Sequence, residues 1–147
     1  MIINILFICV ANSIRSQIAE GLGRKILAGV AEVYSAGSFP SYVNPLAIQV
    51  LDEIGINISQ QQSKSIDSID LNKIDLIITL CDEENCPVLP AKVKQFHWPM
   101  IDPVSSASSS AERLTLFRKL RDELIKKMTQ LKEDIQMHRL ESGEDNK

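Results

Sequence analysis

The chain has 147 residues, 44% of them hydrophobic and 24% charged, with a formal net charge of -3. That length suffices for one domain with a full core and is too short for two ordinary ones. The composition excludes a disordered chain, and the acidic balance excludes a general nucleic-acid binder while leaving room for a local anion site. Three cysteines, an odd number, read as thiols kept reduced in the cytoplasm rather than as a static disulfide framework. The longest apolar run, residues 2–10, is too short to span a bilayer and lacks the basic leader and cleavage site of an export signal, so no membrane association or export is expected.

In chain order, residues 2–8 form an Ile-rich run with Leu6 and Phe7 and no breaker, which predicts a buried parallel strand. Residues 17–27 put Ile18, Leu22 and Ile26 on one helical face. Between them lies Cys9-Val10-Ala11-Asn12-Ser13-Ile14-Arg15-Ser16, where a strand hands over to a helix N-terminus. The first turn of a helix has unpartnered N–H groups and the positive end of the dipole, so anions bind there. A thiol at the head of such a loop, near a guanidinium, is stabilised as the thiolate, which makes Cys9 a candidate nucleophile. Arg15 can hold two oxygens of a tetrahedral oxyanion with its planar fork, as a lysine could not. Ser13 and Ser16 add hydroxyls at the rim, and Asn12 can take the positive φ a tight loop requires. A bare cysteine and arginine at this spacing is a weak signal; flanked by that strand and helix it is a strong one.

Gly29 ends the first helix, residues 32–36 predict a second strand closed by Gly37, and 38–43 a loop. Asn44 caps the next helix, with Pro45 in its first turn and Leu46, Val50, Leu51 and Ile54 as its buried stripe until Gly55. Residues 56–59 read as short and extended, with a helical turn near 66–71. Residues 75–80 form the third strand and 93–97 the fourth. The run 105–110 is a loop or a helix entry, and 111–135 is the last helix. Its stripe of Leu114, Phe117, Leu120, Leu124, Met128, Leu131 and Ile135 steps by three and four throughout. One domain over residues 1–140 with a frayed tail at 141–147 is expected.

Strands alternating with helices give a doubly wound parallel sheet, and such sheets bind ligands beyond the carboxyl ends of their strands. Cys9 ends the first strand and Cys81 the third, so both should lie at one edge. Cys86 follows in a charged loop expected to be exposed and mobile, and thiol–disulfide exchange among the cysteines is possible there. Zinc held by Cys81, Cys86 and His97 is disfavoured, because the paired C-x-x-C spacing is missing; His97 is better explained as packing beside Trp98. Asp102, fixed by Pro103 in a loop after the fourth strand, could hang over the same crevice and donate a proton to a departing oxygen, or it could be an ordinary Asp-Pro turn.

The motifs C-V-A-N-S-I-R-S-Q-I-A-E-G, V-Y-S-A-G, T-L-C, N-C-P, H-W and D-P together resemble the thioredoxin-coupled arsenate reductases built on the low-molecular-weight protein tyrosine phosphatase fold. The phosphatases share the loop and the Asp-Pro but lack the cysteine pair, so Cys81 and Cys86 decide between the two. The resemblance implies a three-layer α/β fold, a four-stranded parallel sheet flanked by helices. It also implies substrate held by loop residues Val10, Ala11, Asn12, Ser13, Ile14, Arg15 and Ser16, with Cys9, Arg15, Cys81, Cys86 and Asp102 catalytic. Cys9 attacks arsenate, Asp102 protonates the departing oxygen, a Cys9–Cys81 disulfide forms as arsenite leaves, and Cys86 converts it to Cys81–Cys86 for thioredoxin to reduce. Phosphate or sulfate would compete, no cofactor is needed, and a cytoplasmic monomer is expected. The loop between Cys81 and Cys86 is shorter than the family pattern, which opens a glutaredoxin or glutathione route. Some members carry a potassium site: Asn12, Glu20 and Ser35 match its ligands, but Gln62 and Lys64 stand where a threonine and an aspartate belong. No bound metal and no potassium dependence are therefore expected.

Overall fold

The first strand is apolar on both faces, which only a central position in a covered sheet can satisfy. In the computed structural model β1 (Ile3–Cys9) lies in the interior of a four-stranded, all-parallel sheet of order β2-β1-β3-β4, between β2 (Ala31–Gly37) and β3 (Leu76–Thr79), with β4 (Lys94–His97) outermost. The structure describes residues 2–82, 86, 87, 89, 92–138 and 140, so the expected tail at 141–147 lies outside the described residues.

Alternation along β1 divides the core. Ile5 and Phe7 face a large cluster with α1 (Arg15–Ile26), α2 (Pro45–Asp52) and α4 (Ser110–Gln136), through Ile18, Leu22, Leu51, Phe117 and Leu124. Leu6 and Ile8 face the other way, into a smaller cluster with Ala36, Ile74 and Ile77, covered by Ile66, Ile69 and Leu71. Those three come from or flank two single-turn 3₁₀ helices, Ile66–Ser68 and Leu71–Lys73, where the sequence predicts one helical turn. The three layers expected from the sequence are present, and the second outer layer is thin.

Helix ends follow local chemistry. Asn44 Oδ1 accepts from the Leu46 N–H at 2.8 Å with Pro45 behind it, the cap read from the sequence. The predicted stripe on α2 overreaches: the helix stops at Asp52, Ile54 is 41% exposed in the following turn, and Ala47 takes an inward position with Val50 and Leu51. Ser109 accepts from the Glu112 N–H and Glu112 accepts from Ser108, so reciprocal bonds close the head of α4. On α4 Phe117, Leu120, Leu124, Met128 and Leu131 are buried, and Leu114 and Ile135 are partly buried.

Residues 56–58 lie outside any helix or strand, 59 begins a turn, and Ile58 is buried beside α1. One further expectation is corrected. Residues 103–106 form a separate short helix, α3 (Pro103–Ser106), because Pro103 and the Asp102 cap nucleate a turn there. His97, the last residue of β4, is exposed with Nδ1 2.7 Å from Thr79 Oγ1, and Trp98 after it is buried against Phe7 with ring centroids 6.3 Å apart. No helix among the described residues is long and apolar enough to cross a membrane.

Candidate active site

β1 ends at Cys9, and the chain turns through residues 10–14 into α1 at Arg15. Asn12 makes the turn possible: its φ is +49°, a conformation asparagine tolerates, and its side chain is fully buried. Its Nδ2 donates to Ser16 Oγ at 2.7 Å and to Ser35 Oγ at 3.0 Å, and its Oδ1 accepts from the Lys64 N–H at 2.8 Å. Because Ser16 Oγ already accepts from Asn12, its own proton is free for the Cys9 sulfur, 2.9 Å away. Cys9 itself is buried and free.

Two residues that the sequence does not mark as part of the site, Gln17 and Gly37, hold the loop in place. Gln17, wholly buried, donates from Nε2 to Asn12 O, Asn12 Oδ1 and Gln62 O at 2.9–3.0 Å, and takes a 2.7 Å bond from Gln61. A Cβ on Gly37 would sit 2.4 Å from Val10 O and 2.8 Å from Asn12 N, so glycine is needed where β2 passes the loop. Beyond it, Phe39 N–H donates to Val10 O, Ser41 N–H and Ser63 Oγ to Ala11 O, and Asn44 N–H to Ser13 O. Three loop carbonyls are thus engaged by the neighbouring chain, and α1 begins without a side-chain cap at Ile14. Such an end suits an anion. Ser13 and Ile14 are buried, and Val10 and Ala11 are half-buried.

Arg15, only 5% exposed, opens α1; its Nη1 donates to Met100 O at 3.2 Å and lies 3.4 Å from Asp82 Oδ1. This ties the loop after β4 to the cradle. Two residues on, Asp102 caps α3 by accepting from the Val104 N–H at 2.9 Å, so its carboxyl already has a structural duty.

The register pairs Ile8 with Thr79, and Leu80 N–H donates to Ile8 O, so Cys9 and Cys81 emerge from adjacent strands at one edge. Cys81 is buried and joined to Cys86 in a disulfide with Cα atoms 5.6 Å apart. Of the two expected pairings this structure contains Cys81–Cys86 and not Cys9–Cys81, because Cys9 is free. The cysteine loop, expected to be exposed, begins from a buried residue, and Cys86 is half-buried; residues 83–85 lie outside the described residues.

Beneath the cradle Glu20 is 5% exposed. It accepts from Ser35 Oγ at 2.5 Å and from Arg24 at 2.6 Å, and the Lys64 ammonium lies 3.5 Å from Glu20 Oε1 and 2.8 Å from Gln62 O. The Lys64 ammonium thus stands beside Glu20, one of the residues that match the potassium pattern. Among the described residues no three His, Cys, Asp or Glu side chains are grouped to hold a metal ion.

The model of the low molecular weight phosphotyrosine protein phosphatase family matches residues 4–140. The chain belongs to that family. Within it, the chain is 43% identical over 126 residues to an arsenate reductase of Halalkalibacterium halodurans, covering 84% of this chain and 91% of the relative. It is 46% identical over 122 residues to arsenate reductase 2 of Staphylococcus haemolyticus, covering 82% and 88%. An arsenate reductase solved in its phosphate-binding state superposes with a TM-score of 0.78 at 31% identity, covering 90% of this chain and 98% of that one. A thioredoxin-dependent arsenate reductase of Corynebacterium glutamicum superposes with a TM-score of 0.72 at 29% identity, covering 93% and 63%.

Proposed function

We propose that this family member is an arsenate reductase that uses its three cysteines as a disulfide relay. The observation that carries this reading is the Cys81–Cys86 disulfide at the end of β3, beside β1, whose end bears the free Cys9. A phosphatase of this fold needs Cys9, Arg15 and Asp102 only and has no use for the other two sulfurs.

Arsenate enters the loop 10–16, held by backbone N–H groups and the Arg15 guanidinium. The Cys9 thiolate attacks arsenic, and Asp102 protonates the oxygen that departs as water. The Cys81 thiolate then attacks the Cys9 sulfur. The S–As bond breaks, its electron pair stays with arsenic, and arsenite leaves with arsenic reduced by two electrons. Cys86 attacks Cys81, freeing the Cys9 thiolate and leaving Cys81–Cys86, which thioredoxin reduces at the expense of its own dithiol. Phosphate, tetrahedral and of like charge, competes for the same cradle.

The test is arsenate-dependent NADPH consumption coupled through thioredoxin and thioredoxin reductase, with Cys9→Ser, Cys81→Ser and Cys86→Ser alongside. Each substitution is expected to abolish catalytic turnover. A Cys86→Ser protein that cycles as well as the unmodified chain overturns the relay and leaves phosphatase chemistry at Cys9. Replacing thioredoxin by glutathione and glutaredoxin in the same assay identifies the reductant.

A further inference from the structure

The relay assigns no part to Asp82, which follows Cys81 directly in the chain. Its Oδ1 lies 3.4 Å from Nη1 of Arg15, the group that also donates to Met100 O at 3.2 Å. The Arg15 side chain is 6% exposed and that of Asp82 is 41% exposed, so the carboxylate reaches inward from the rim toward a sequestered cation. Asp82 is also the first residue inside the ring that the Cys81–Cys86 bond closes. Its backbone is therefore tethered on one side to the sheet and on the other, through the disulfide, back to that same point.

A guanidinium fork suits a carboxylate as well as it suits a tetrahedral oxyanion, and two anions at one cation repel each other. We propose that Asp82 is a redox-gated competitor for the oxyanion: with Cys81–Cys86 closed its carboxylate engages Arg15 and weakens anion binding, and opening the disulfide lets the oxyanion displace it. Opening consumes two electrons and two protons from an external dithiol, which becomes a disulfide, and leaves two thiols on this chain. The oxidised protein, which cannot turn over, is thereby kept from loading substrate until it has been reset. By linkage the effect is reciprocal: an anion that prefers the reduced form makes the disulfide easier to reduce.

This inference rests on the reading above in one respect, that Arg15 holds the oxyanion, and its test does not use arsenate turnover. In a Cys9→Ser chain only Cys81 and Cys86 can pair, so the redox state is unambiguous. Inorganic phosphate titrated calorimetrically into the oxidised and reduced forms is expected to bind the oxidised form about tenfold more weakly. Asp82→Asn removes the charge and should raise the oxidised form's affinity to near that of the reduced form, with circular dichroism confirming the fold; Asp82→Ala serves as the second variant. The midpoint potential of the couple should rise by about 30 mV in saturating phosphate for a tenfold coupling, and this shift should vanish in Asp82→Asn. Equal phosphate affinity in both redox states overturns the proposal. So does an Asp82→Asn chain that binds phosphate more weakly in both states, which would make Asp82 a positioning partner of Arg15. Redox-dependent phosphate binding in a chain that fails the arsenate assay would sink the reductase reading and leave this one standing; turnover without redox-dependent binding would do the reverse.

Discussion

The carboxyl ends of β1 and β3 lie side by side and each carries a cysteine, yet they are built in opposite ways. After β1 the chain is locked by side chains that never reach solvent: Asn12, Ser16, Gln17 and Ser35 are each fully buried and bonded to one another or to backbone. After β3 it passes from buried Cys81 straight to exposed Asp82 and is tied back by a covalent bond between two side chains. The contrast matches what each cysteine is proposed to do. A nucleophile that must meet a bound oxyanion in one geometry gains from a cradle fixed in advance, whereas a sulfur that must trade partners needs a tether that can be opened.

The sharpest way to break that contrast is to disturb the cradle from outside. Gly37→Ala drives a methyl group to within 2.4 Å of Val10 O, and the loop must shift to admit it. Steady-state kinetics should show about a hundredfold loss of kcat/KM, and urea unfolding a loss of about 1–3 kcal/mol. Unchanged kinetics would mean that the cradle is more pliant than its hydrogen bonds suggest. The opposite operation, reducing Cys81–Cys86, should be mild: the ring is so short that the chain-entropy relation allows about 2 kcal/mol at most, read from the urea midpoint with and without a dithiol. A larger drop would make the end of β3 structural.

Smaller again is Lys64→Gln, which removes one of the cations beside Glu20 but leaves Arg24 and Ser35 bonded to it. A loss of about 0.5–1 kcal/mol is expected, because the lysine side chain is 29% exposed. Exchanging potassium for choline in the assay of the unmodified chain should leave its rate unchanged, since an ammonium already stands beside Glu20; a potassium-stimulated rate would show that this lysine moves aside.

The smallest effect lies far from both cysteines. Arg118 and, less strongly, Arg121 hydrogen-bond Glu53 and hold its carboxyl below the ordinary 4.5, against a smaller opposing push from burial. A depressed carboxyl stabilises the fold above its unfolded value and ceases to do so as pH falls through its folded value. Glu53→Gln should therefore lower the melting temperature slightly at neutral pH, and the two proteins should converge in scans below pH 4.5.

What the sequence made legible is what local chemistry fixes. The Ile-rich run, the Asn44-Pro45 cap and the three-four stepping of the last helix each determine their element without help from distant residues, and Cys9 with Arg15 shows its spacing in one line of text. Gln17, Gly37 and Asp82 could not be found that way. Gln17 sits on a face that the helical pattern treats as merely polar, and its bonds to Gln61 and Gln62 join residues 44 and 45 positions apart. Gly37 reads as a strand terminator, and the carbonyl that forbids a side chain there belongs to residue 10. Asp82 looks like one charge among several until the fold brings it to Arg15, 67 positions earlier. Ile54 lies off the buried stripe for a related reason: periodicity says which face a residue would occupy, but not where the helix stops.

Trp98 is the sole tryptophan, 1% exposed, packed on Phe7 of β1 with the Lys127 ammonium 5.6 Å above its ring. Its indole thus spans the boundary between the central strand and the long helix, and all of the chain's tryptophan emission comes from that one seam. Fluorescence excited at the indole band can follow the parting of α4 from the sheet with no added label.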